Sequence, residues 1–505
     1  MTDQVCRLAA IVRALPGHGE STLVARRDGV LATRSYADCH RDAVRVARAL
    51  VARGVRPGDT VAVHGVTSYE WVLADLACVL AGAISVALYP SAPPDRVLAA
   101  AREARCRVLF TDQPALADVA VEFDVIALDP STMDSLGGDA VLPERPDGPF
   151  TVVSTSGTLS EPKLFGVHSR PLLHTMERFA ELYGIDGRDR LLLYLPLSHL
   201  PQRMMLYWGL SVGLDFVLSD PVHMVADTGR TRPTLSVGVP RSLEHLHGRA
   251  TKAIAGGTES ARAYATLFGD RLKALFVGSA PSDPAVLTDL REAGVPVYEV
   301  YGTTELGMIG LNRPDANRPG TVGKPIPWGA VRLDKATREV LVRTPTPFRY
   351  GELVDGKVVP VVRDPEEWVS TGDVGSFDGD GFLTLLGRLR DFVPLRSGEK
   401  VFVKPIEDAL CRRTGATHAV LVLVDGTRLH ALLFFTPESL RDPDALASDV
   451  TTVNKTLHRW ERVRAFAVVG RLPTAEEGCV TETTKLRRHR IEEVHGRHAA
   501  WTPLP

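Results

Sequence analysis

The chain contains few lysines and little net charge. Of its 505 residues 59 are basic, and these comprise 10 lysines and 49 arginines, with no lysine before Lys163. The 61 acidic residues leave a formal net charge of −2. Proteins that bind nucleic acids or anionic membrane surfaces usually carry a basic excess, which is missing here. We therefore expect no nucleic-acid partner.

Paired cysteines and long apolar runs are also missing. The six cysteines are scattered and form no C-x-x-C pair, so their spacing predicts neither a zinc site nor a disulfide framework. The longest apolar stretch, residues 76–89, is shorter than the roughly 20 residues that a membrane helix needs. It is typical of a buried helix that leads into a buried strand. The first residues do not resemble a signal peptide. We expect a cytoplasmic protein without membrane insertion.

Helix-like and strand-like patterns alternate along the first part of the chain. Apolar residues recur at helical spacing over 41–55, and short apolar runs follow at 60–65, 83–88, 107–111 and 124–128. This order predicts βαβ units and an α/β fold with a parallel sheet. Residues 129–149 are rich in Pro, Gly, Asp and Ser, which predicts a surface connection. After Arg388 the pattern changes, and we expect a small α+β unit of about 115 residues there.

A loop of phosphate-binding composition follows an apolar strand. The sequence STSGTLSEPKL (154–164) combines the hydroxyls of Thr155, Ser156 and Thr158 with Gly157 and Lys163. Hydroxyl and backbone N–H groups donate to phosphate oxygens, and a lysine supplies a compact positive charge. The Walker pattern G-x-x-x-x-G-K-[ST] is absent. On composition alone, a solvated loop is the alternative.

In a second motif, VYEVYGTTELG (297–307), the residue types follow the order expected for contacts with a base, phosphates and a metal. The aromatic face of Tyr301 can stack on a purine, and Gly302 allows close approach of the backbone. Thr304 offers a hydroxyl to a phosphate, and Glu305 is a hard oxygen ligand suited to Mg²⁺. The alternative is a strand end followed by an ordinary turn.

Two further fragments carry charged groups suited to a nucleotide. STGDVG (370–375) and GRLRD (387–391) contain Asp373, which can accept two hydrogen bonds from a ribose diol, and Arg388, which offers a rigid fork of donors. The basic run TETTKLRRHR (481–490) contains the last lysine, Lys485. For the first two fragments, the alternatives are an acidic turn and a surface Arg–Asp pair. For the basic run, they are a solvated helix face and a patch for an acidic partner.

In this order and spacing, the four fragments closely resemble the AMP-forming adenylating superfamily, which includes acyl-CoA synthetases, peptide-synthetase adenylation domains and luciferases. The segments LLYLPLSHLPQRM, PTLSVGVPRSLEHL, LKALFVGSAPSDPAVL and NRPGTVGKPIPWGAVRL look most like its long-chain fatty acyl-CoA synthetase branch. The resemblance implies an α/β fold with a large N-terminal core that contains parallel sheets, residues 1–389. A small mobile α+β lid would follow, residues 390–505.

The resemblance also implies roles for individual residues. The residues that would hold the pyrophosphate part of ATP are Thr155, Ser156, Gly157, Thr158 and Lys163. Those that would surround the adenosine and the α-phosphate are Tyr301, Gly302, Thr303, Thr304, Asp373 and Arg388, of which Asp373 and Arg388 would hold the ribose. Gly278, Ser279, Ala280 and Pro281 would form the wall on the adenine and acyl sides. Tyr301 would stack on adenine, and Thr304 would contact the α-phosphate. Glu305 would bind Mg²⁺, and His199 would flank the acyl pocket. Arg390 would be the hinge, and Lys485 the catalytic lysine of the lid.

The implied reaction uses ATP and Mg²⁺ to adenylate a carboxylic acid with release of pyrophosphate. The acyl group then passes to the thiol of CoA or of a carrier protein. The phosphate loop departs from the usual TSGTTG-x-PKG, because Leu159, Ser160 and Leu164 replace a threonine and two glycines. Two alternatives are an enzyme that activates nitrite or another oxyanion for diazo or N–N bond formation with an amine, and a non-catalytic nucleotide-binding relative. The acid and the oligomeric state stay open.

A final apolar run has two interpretations. Residues 204–208 read MMLYW, which would suit the wall of an acyl tunnel, although such a run is more often plain helix core.

Overall fold

A computed structural model describes most of the chain. The described residues are 6–119, 122–144, 147–154, 164–345, 347–389, 392–396, 400–480, 486–497 and 499–504. They form a mixed α/β structure with sheets of nine, eight, four, two and four strands. No helix among them is long and apolar enough to cross a membrane.

Helices and short strands alternate through the first part of the chain. In chain order they are α1 (Arg7–Ala14), β1 (Thr22–Arg27), β2 (Val30–Ser35), α2 (Tyr36–Ala52), β3 (Thr60–His64), α3 (Tyr69–Leu80), β4 (Ile84–Leu88), α4 (Pro94–Glu103), β5 (Val108–Thr111), α5 (Pro114–Val119), β6 (Asp124–Ala127), α6 (Pro130–Ser135) and β7 (Pro149–Ser154).

The alternation continues through the middle of the chain. The elements are β8 (Leu164–His168), α7 (Ser169–Tyr183), β9 (Arg190–Leu193), α8 (Leu200–Val212), β10 (Asp215–Leu218), α9 (Met224–Thr231), β11 (Leu235–Gly238), α10 (Pro240–Ala255), α11 (Ser260–Phe268), β12 (Ala274–Val277), α12 (Pro284–Glu292), β13 (Val297–Thr303) and β14 (Gly307–Leu311).

Strands predominate in the next stretch, and helices return near the end. The elements are β15 (Lys324–Pro325), β16 (Ala330–Leu333), β17 (Glu339–Arg343), β18 (Arg349–Val354), β19 (Lys357–Pro360), β20 (Val369–Phe377), β21 (Leu383–Arg388), β22 (Phe392–Pro394), β23 (Lys400–Phe402), α13 (Val403–Thr414), β24 (His418–Val424), β25 (Arg428–Phe434), α14 (Pro443–Asn454), β26 (Val463–Val469), α15 (Arg488–Ile491) and β27 (Thr502–Pro503).

Local sequence explains where the early helices begin. Ser35 caps α2, because its side chain accepts from the backbone N–H of Asp38 while the Asp38 carboxylate accepts from the backbone N–H of Ser35. Ser68 caps α3 by accepting from the backbone N–H of Trp71. Every residue of α3 and of β4 is buried, so the apolar run of residues 76–89 is a buried helix and strand, as predicted.

The eight-stranded sheet confirms the predicted βαβ pattern. Its order is β19-β18-β8-β7-β4-β3-β5-β6, and the neighbours from β7 to β6 are parallel. Burial on both faces explains the near-continuous apolar character of β3, β4 and β5, whereas β6, at the end of the sheet, is partly exposed.

The predicted surface connection at 129–149 contains more structure than the sequence indicated. The short helix α6 lies there, and Met133 and Leu136 are buried. The guanidinium of Arg45 donates to the carbonyl oxygens of Asp134 at 2.9 Å and Leu136 at 2.8 Å. An arginine from α2 thus stabilises a segment whose composition alone predicts a loop.

The nine-stranded sheet has a parallel centre. Its order is β15-β14-β13-β12-β11-β9-β10-β1-β2, and all neighbours from β13 to β1 are parallel. The carboxyl ends of β9, β11, β12 and β13 therefore lie at one edge, where open α/β sheets bind their ligands.

A buried ion pair connects α8 to the eight-stranded sheet and its helix α3. The side chains of Arg203 and Asp75 are both 0% exposed and lie 2.6 Å apart. Arg203 also donates to Thr151 at 2.7 Å and Ser85 at 2.9 Å, and the hydroxyl of Tyr207 donates to Asp75 at 2.8 Å. Each nitrogen of the Arg203 guanidinium thus donates to a buried oxygen atom. Such hydrogen bonds make a buried charge tolerable.

The MMLYW run in α8 belongs to the hydrophobic core. Each of its five side chains is buried within the largest apolar cluster of the described residues. The structure therefore favours helix core over a tunnel wall for residues 204–208.

The C-terminal part of the chain has its own sheet and apolar clusters. The sheet order is β24-β25-β26-β27, with β25 and β26 parallel and the other pairs antiparallel. Its clusters contain only residues from Val393 onward, whereas the other apolar clusters end at Leu385. This is the small C-terminal α+β unit expected from the change of pattern after Arg388.

Candidate active site

Several predicted site residues lie at the carboxyl edge of the nine-stranded sheet. His199 follows β9 and precedes α8, Ser279 follows β12, and Tyr301 lies near the end of β13. Because these strands run parallel, their ends bring the three residues to the same edge. The tertiary structure thus brings together residues from motifs about a hundred positions apart.

His199 connects this edge to the eight-stranded sheet. Its Nε2 lies 3.1 Å from Ser279 Oγ, and its Nδ1 lies 3.4 Å from the hydroxyl of Tyr89. Tyr89 directly follows β4, so the carboxyl edges of the two large sheets meet at this imidazole. Sequence analysis missed Tyr89, although an aromatic residue at the end of a buried parallel strand is a usable signal.

The loop after β12 lies close against β13. A Cβ atom on Gly278 would lie 2.8 Å from the carbonyl oxygen of Val300, so only glycine fits without movement. Ser279 has a φ of 72°, in the left-handed region that is unfavourable for residues other than glycine. Such strain commonly marks functional loops, and here it directs the Ser279 side chain at His199.

Tyr301, Asp373 and Arg388 form a connected polar group. The hydroxyl of Tyr301 donates to Asp373 Oδ2 at 2.6 Å, and Arg388 Nε lies 2.9 Å from Asp373 Oδ1. Asp373 and Arg388 are opposite each other on β20 and β21. Burial, reinforced by the neighbouring carboxylate, raises the pKa of Tyr301, so its hydroxyl stays protonated and donates. Arg388 is 41% exposed and can reach a polar ligand.

The turn after β13 presents Thr304 and Glu305. The hydroxyl of Thr303 accepts from the backbone N–H of Leu306 at 3.1 Å, and the carbonyl of Glu305 accepts from the backbone N–H of Arg349 at 2.9 Å. A Cβ on Gly302 would lie 2.4 Å from a backbone oxygen across the hairpin, so this turn needs glycine. The two hydrogen bonds hold the turn in place, and the Glu305 carboxylate takes part in neither of them.

The Glu305 carboxylate fits the predicted magnesium ligand. It makes no hydrogen bond or ion pair with any other residue that the structure describes, and it is partly exposed. A free, accessible carboxylate oxygen is the ligand type that Mg²⁺ prefers.

Glu299 is a buried carboxylate that the sequence analysis did not single out. It is 7% exposed and accepts from the backbone N–H groups of Ser282 and Gly320, each at 3.3 Å. Burial raises the pKa of Glu299 to about 7, because its effect exceeds that of the hydrogen bonds, which lower the pKa. The alternation along β13 places Glu299 on the same buried face as Tyr301, which is the signal that could have found it.

Seven predicted residues lie outside the described part of the chain, so their roles stay predictions. They are Thr155, Ser156, Gly157, Thr158, Lys163, Arg390 and Lys485. Their flanks are described: Ser154 pairs with Leu164 across β7 and β8, and Val480 pairs with Leu486. Because β7 is parallel to β4, Ser154 lies at the same sheet edge as Tyr89.

Known proteins are similar to most of this chain. A family model described as AMP-binding enzyme matches residues 14–355. A long-chain-fatty-acid–CoA ligase of Mycobacterium bovis is 26% identical over 92% of this chain and 91% of its own length. A 3-hydroxybenzoate–CoA ligase of Aromatoleum sp. is 28% identical over 91% of both chains.

The similarity extends to solved structures. The structure of o-succinylbenzoate CoA synthetase from Bacillus subtilis, in complex with an acyl-adenylate intermediate, has a TM-score of 0.79. It shares 22% sequence identity with this chain and covers 98% of it and 99% of its own length. The two proteins have the same fold.

Proposed function

The chain belongs to the AMP-binding enzyme family, and from this membership we propose that it is an ATP-dependent, AMP-forming acid–thiol ligase. It adenylates a carboxylic acid with release of pyrophosphate and passes the acyl group to the thiol of CoA or a carrier protein. The observation that carries this proposal is that two groups of interacting side chains have members at the carboxyl edge of one sheet. Tyr301, Asp373 and Arg388 form the first group, and His199 and Ser279 form the second.

The first group suits the adenosine half of ATP. The Asp373 carboxylate holds a tyrosine hydroxyl on one oxygen and an arginine on the other, which fixes its orientation. A carboxylate has about four lone-pair positions, so it can also accept from a ribose diol. The Tyr301 ring is 7% exposed, so a base would contact only its remaining open part.

The second group suits the acid. His199 lies between Tyr89 and Ser279, and its ring is held by contacts at both nitrogens. The group carries no permanent charge, so we propose that it shapes the pocket and orients the carboxylate rather than neutralising it.

Adenylation requires cations, because the attacking carboxylate and the α-phosphate are both anionic. We propose that Lys163 and Lys485 supply positive charge from this chain, and that Thr304 contacts the α-phosphate. Glu305 would hold Mg²⁺, which when bound neutralises charge on the phosphate oxygens. Holding both reactants in line would contribute much of the remaining acceleration.

We propose that the chain divides at Arg390 into a core, residues 1–389, and a lid, residues 390–505. The separate apolar clusters on either side of this position support the division. With Arg390 as the hinge, the lid would present Lys485 for adenylation and withdraw it for thiol attack.

Exchange of labelled pyrophosphate into ATP tests the adenylation step. We expect exchange with some acid in a panel of aliphatic and aromatic carboxylic acids, and AMP release that increases with CoA or a carrier-protein thiol. Exchange with nitrite alone, followed by amine-dependent AMP release, would contradict the thiol ligase. ATP binding without exchange for any acid would indicate a non-catalytic relative.

A lysine variant tests the assignment of the lid residue. Lys485→Ala should lower exchange by about 100-fold or more, because charge stabilisation of the transition state is lost while ATP binding persists. Lys455→Ala is the matched control, since Lys455 is an exposed lysine in the same part of the chain. Exchange at the wild-type rate in Lys485→Ala would refute this role.

A further inference from the structure

Three ligand-type side chains of different chemistry meet in the C-terminal part of the chain. They are Glu477, Cys479 and His495, and one ligand atom from each lies within 4.8 Å of the other two. None of them belongs to the residues assigned above to ATP, magnesium or the acid.

Cys479 and His495 are buried, and one nitrogen atom of the histidine is unsatisfied. Cys479 is 0% exposed and packs in an apolar cluster with Phe434 and Ile491. The His495 side chain is 6% exposed, and its Nε2 has no hydrogen-bond partner among the described residues. That nitrogen lies 3.7 Å from Glu477 Oε2, which is too long for a hydrogen bond. A buried polar atom without a partner costs free energy, which a bound cation would recover.

The Glu477 carboxylate is held so that one oxygen remains for a ligand. Arg471 contacts Oε1 at 2.5 Å, while Oε2 is the oxygen nearest His495. The only other donors to Oε2 among the described residues are the backbone N–H and hydroxyl of Thr474, at 3.3 and 3.4 Å, both long contacts. Partners that orient a ligating carboxylate in this way are typical of the surroundings of metal sites.

We propose that Glu477, Cys479 and His495 bind one zinc ion, with a water molecule as the fourth ligand. Thiolate, imidazole and carboxylate are the ligands that zinc takes in proteins, at about 2.0–2.3 Å from the ion. Tetrahedral geometry at those lengths places the ligand atoms about 3.5 Å apart, so binding requires movements of at most about 1 Å. The two anionic ligands match the charge of the ion.

Cys479 lies in a backbone segment that is paired with the segment beginning at Leu486. The backbone N–H of Arg487 donates to the carbonyl of Cys479 at 2.8 Å, and Val480 pairs with Leu486. Zinc would therefore fix the two backbone segments that flank Lys485 in the sequence. The ligands lack C-x-x-C spacing, which is why the cysteine pattern alone predicts no zinc site.

Cobalt binding to the full-length, tag-free protein tests the site. After chelator treatment, Co²⁺ should bind with one equivalent and give the near-ultraviolet thiolate-to-cobalt charge-transfer band, and Zn²⁺ should displace it. Cys479→Ala should abolish the band and weaken zinc binding by about 100-fold or more, measured by competition with a chromogenic chelator. Cys411→Ala is the matched control and should change neither.

Further variants keep the test decisive if Cys479→Ala does not fold. Glu477→Gln and His495→Gln should each weaken zinc binding, with metal-free circular dichroism spectra like that of the wild type. Zinc should raise the melting temperature of the wild type and of Cys411→Ala more than that of these variants. Absence of stoichiometric binding, a charge-transfer band that survives in Cys479→Ala, or unchanged zinc affinity in His495→Gln would overturn the proposal.

Discussion

Replacing Glu299 with glutamine should remove a pH dependence of stability that arises beside the candidate active site. The wild-type carboxyl has an ordinary pKa of 4.5 and a folded-state pKa of about 7, because burial disfavours its charged form. Glutamine has the shape of the neutral carboxyl and does not titrate. Its amide nitrogen cannot accept from one of the two backbone N–H groups, which adds an offset in stability that does not depend on pH. The pH dependence of the difference between the two proteins therefore isolates the titration of this one group.

The sign follows from proton binding in the two states. Between pH 4.5 and about 7 the folded protein holds a proton on Glu299 that the unfolded chain has lost, so stability falls as the pH rises through this window. Each pH unit within it is worth about 1.4 kcal/mol. From pH 5 to pH 8 the wild type should thus lose about 2.5 kcal/mol relative to Glu299→Gln.

Urea unfolding at pH 5, 6.5 and 8 measures this difference. Glu292→Gln is the matched control, because Glu292 is an exposed glutamate on the neighbouring helix α12, and its substitution should give no such trend. A difference between wild type and Glu299→Gln that stays constant from pH 5 to pH 8 would refute the reasoning. A wild type that gains stability over Glu299→Gln as the pH rises would refute it as well.

The remaining predictions concern the buried ion pair and the ribose-side carboxylate. Asp75→Asn should lower the free energy of unfolding by about 3–5 kcal/mol, because it leaves a buried guanidinium unpaired. Asp270→Asn, in an exposed ion pair, should lower it far less. Equal effects of the two changes in urea unfolding would contradict this. Tyr301→Phe should lower kcat/KM for ATP by about tenfold, because Asp373 loses a charge-assisted hydrogen bond, while Tyr298→Phe, as control, should not. Unchanged ATP kinetics in Tyr301→Phe would show that this hydrogen bond does not position the carboxylate.

The sequence by itself determined the alternation of helices and strands between residues 41 and 128. The strands β3, β4, β5 and β6 lie where short apolar runs predicted them. Burial on both faces of β3, β4 and β5 leaves a local signal in each of these strands. The sequence also indicated the family, because several motifs occur in a fixed order. The segment 129–149 departed from expectation, because a distant arginine stabilises it.

The sequence also predicted Tyr301, Asp373, Arg388, His199 and Ser279 as candidate site residues, and their roles stay predictions. Residue type and motif order were sufficient for this, since each motif is continuous in the chain. The motifs did not show which of these side chains contact one another.

The tertiary structure alone decided the contacts within the site. His199 contacts Tyr89 and Ser279, which are 110 and 80 residues away in the sequence. Tyr301 contacts Asp373, which is 72 residues away. The burial of Glu299 and the meeting of Cys479 with His495 likewise depend on neighbours from other elements. The physical reason is that periodicity and turn chemistry act over a few residues, whereas side-chain contacts, burial and the resulting pKa depend on how sheets and helices pack together.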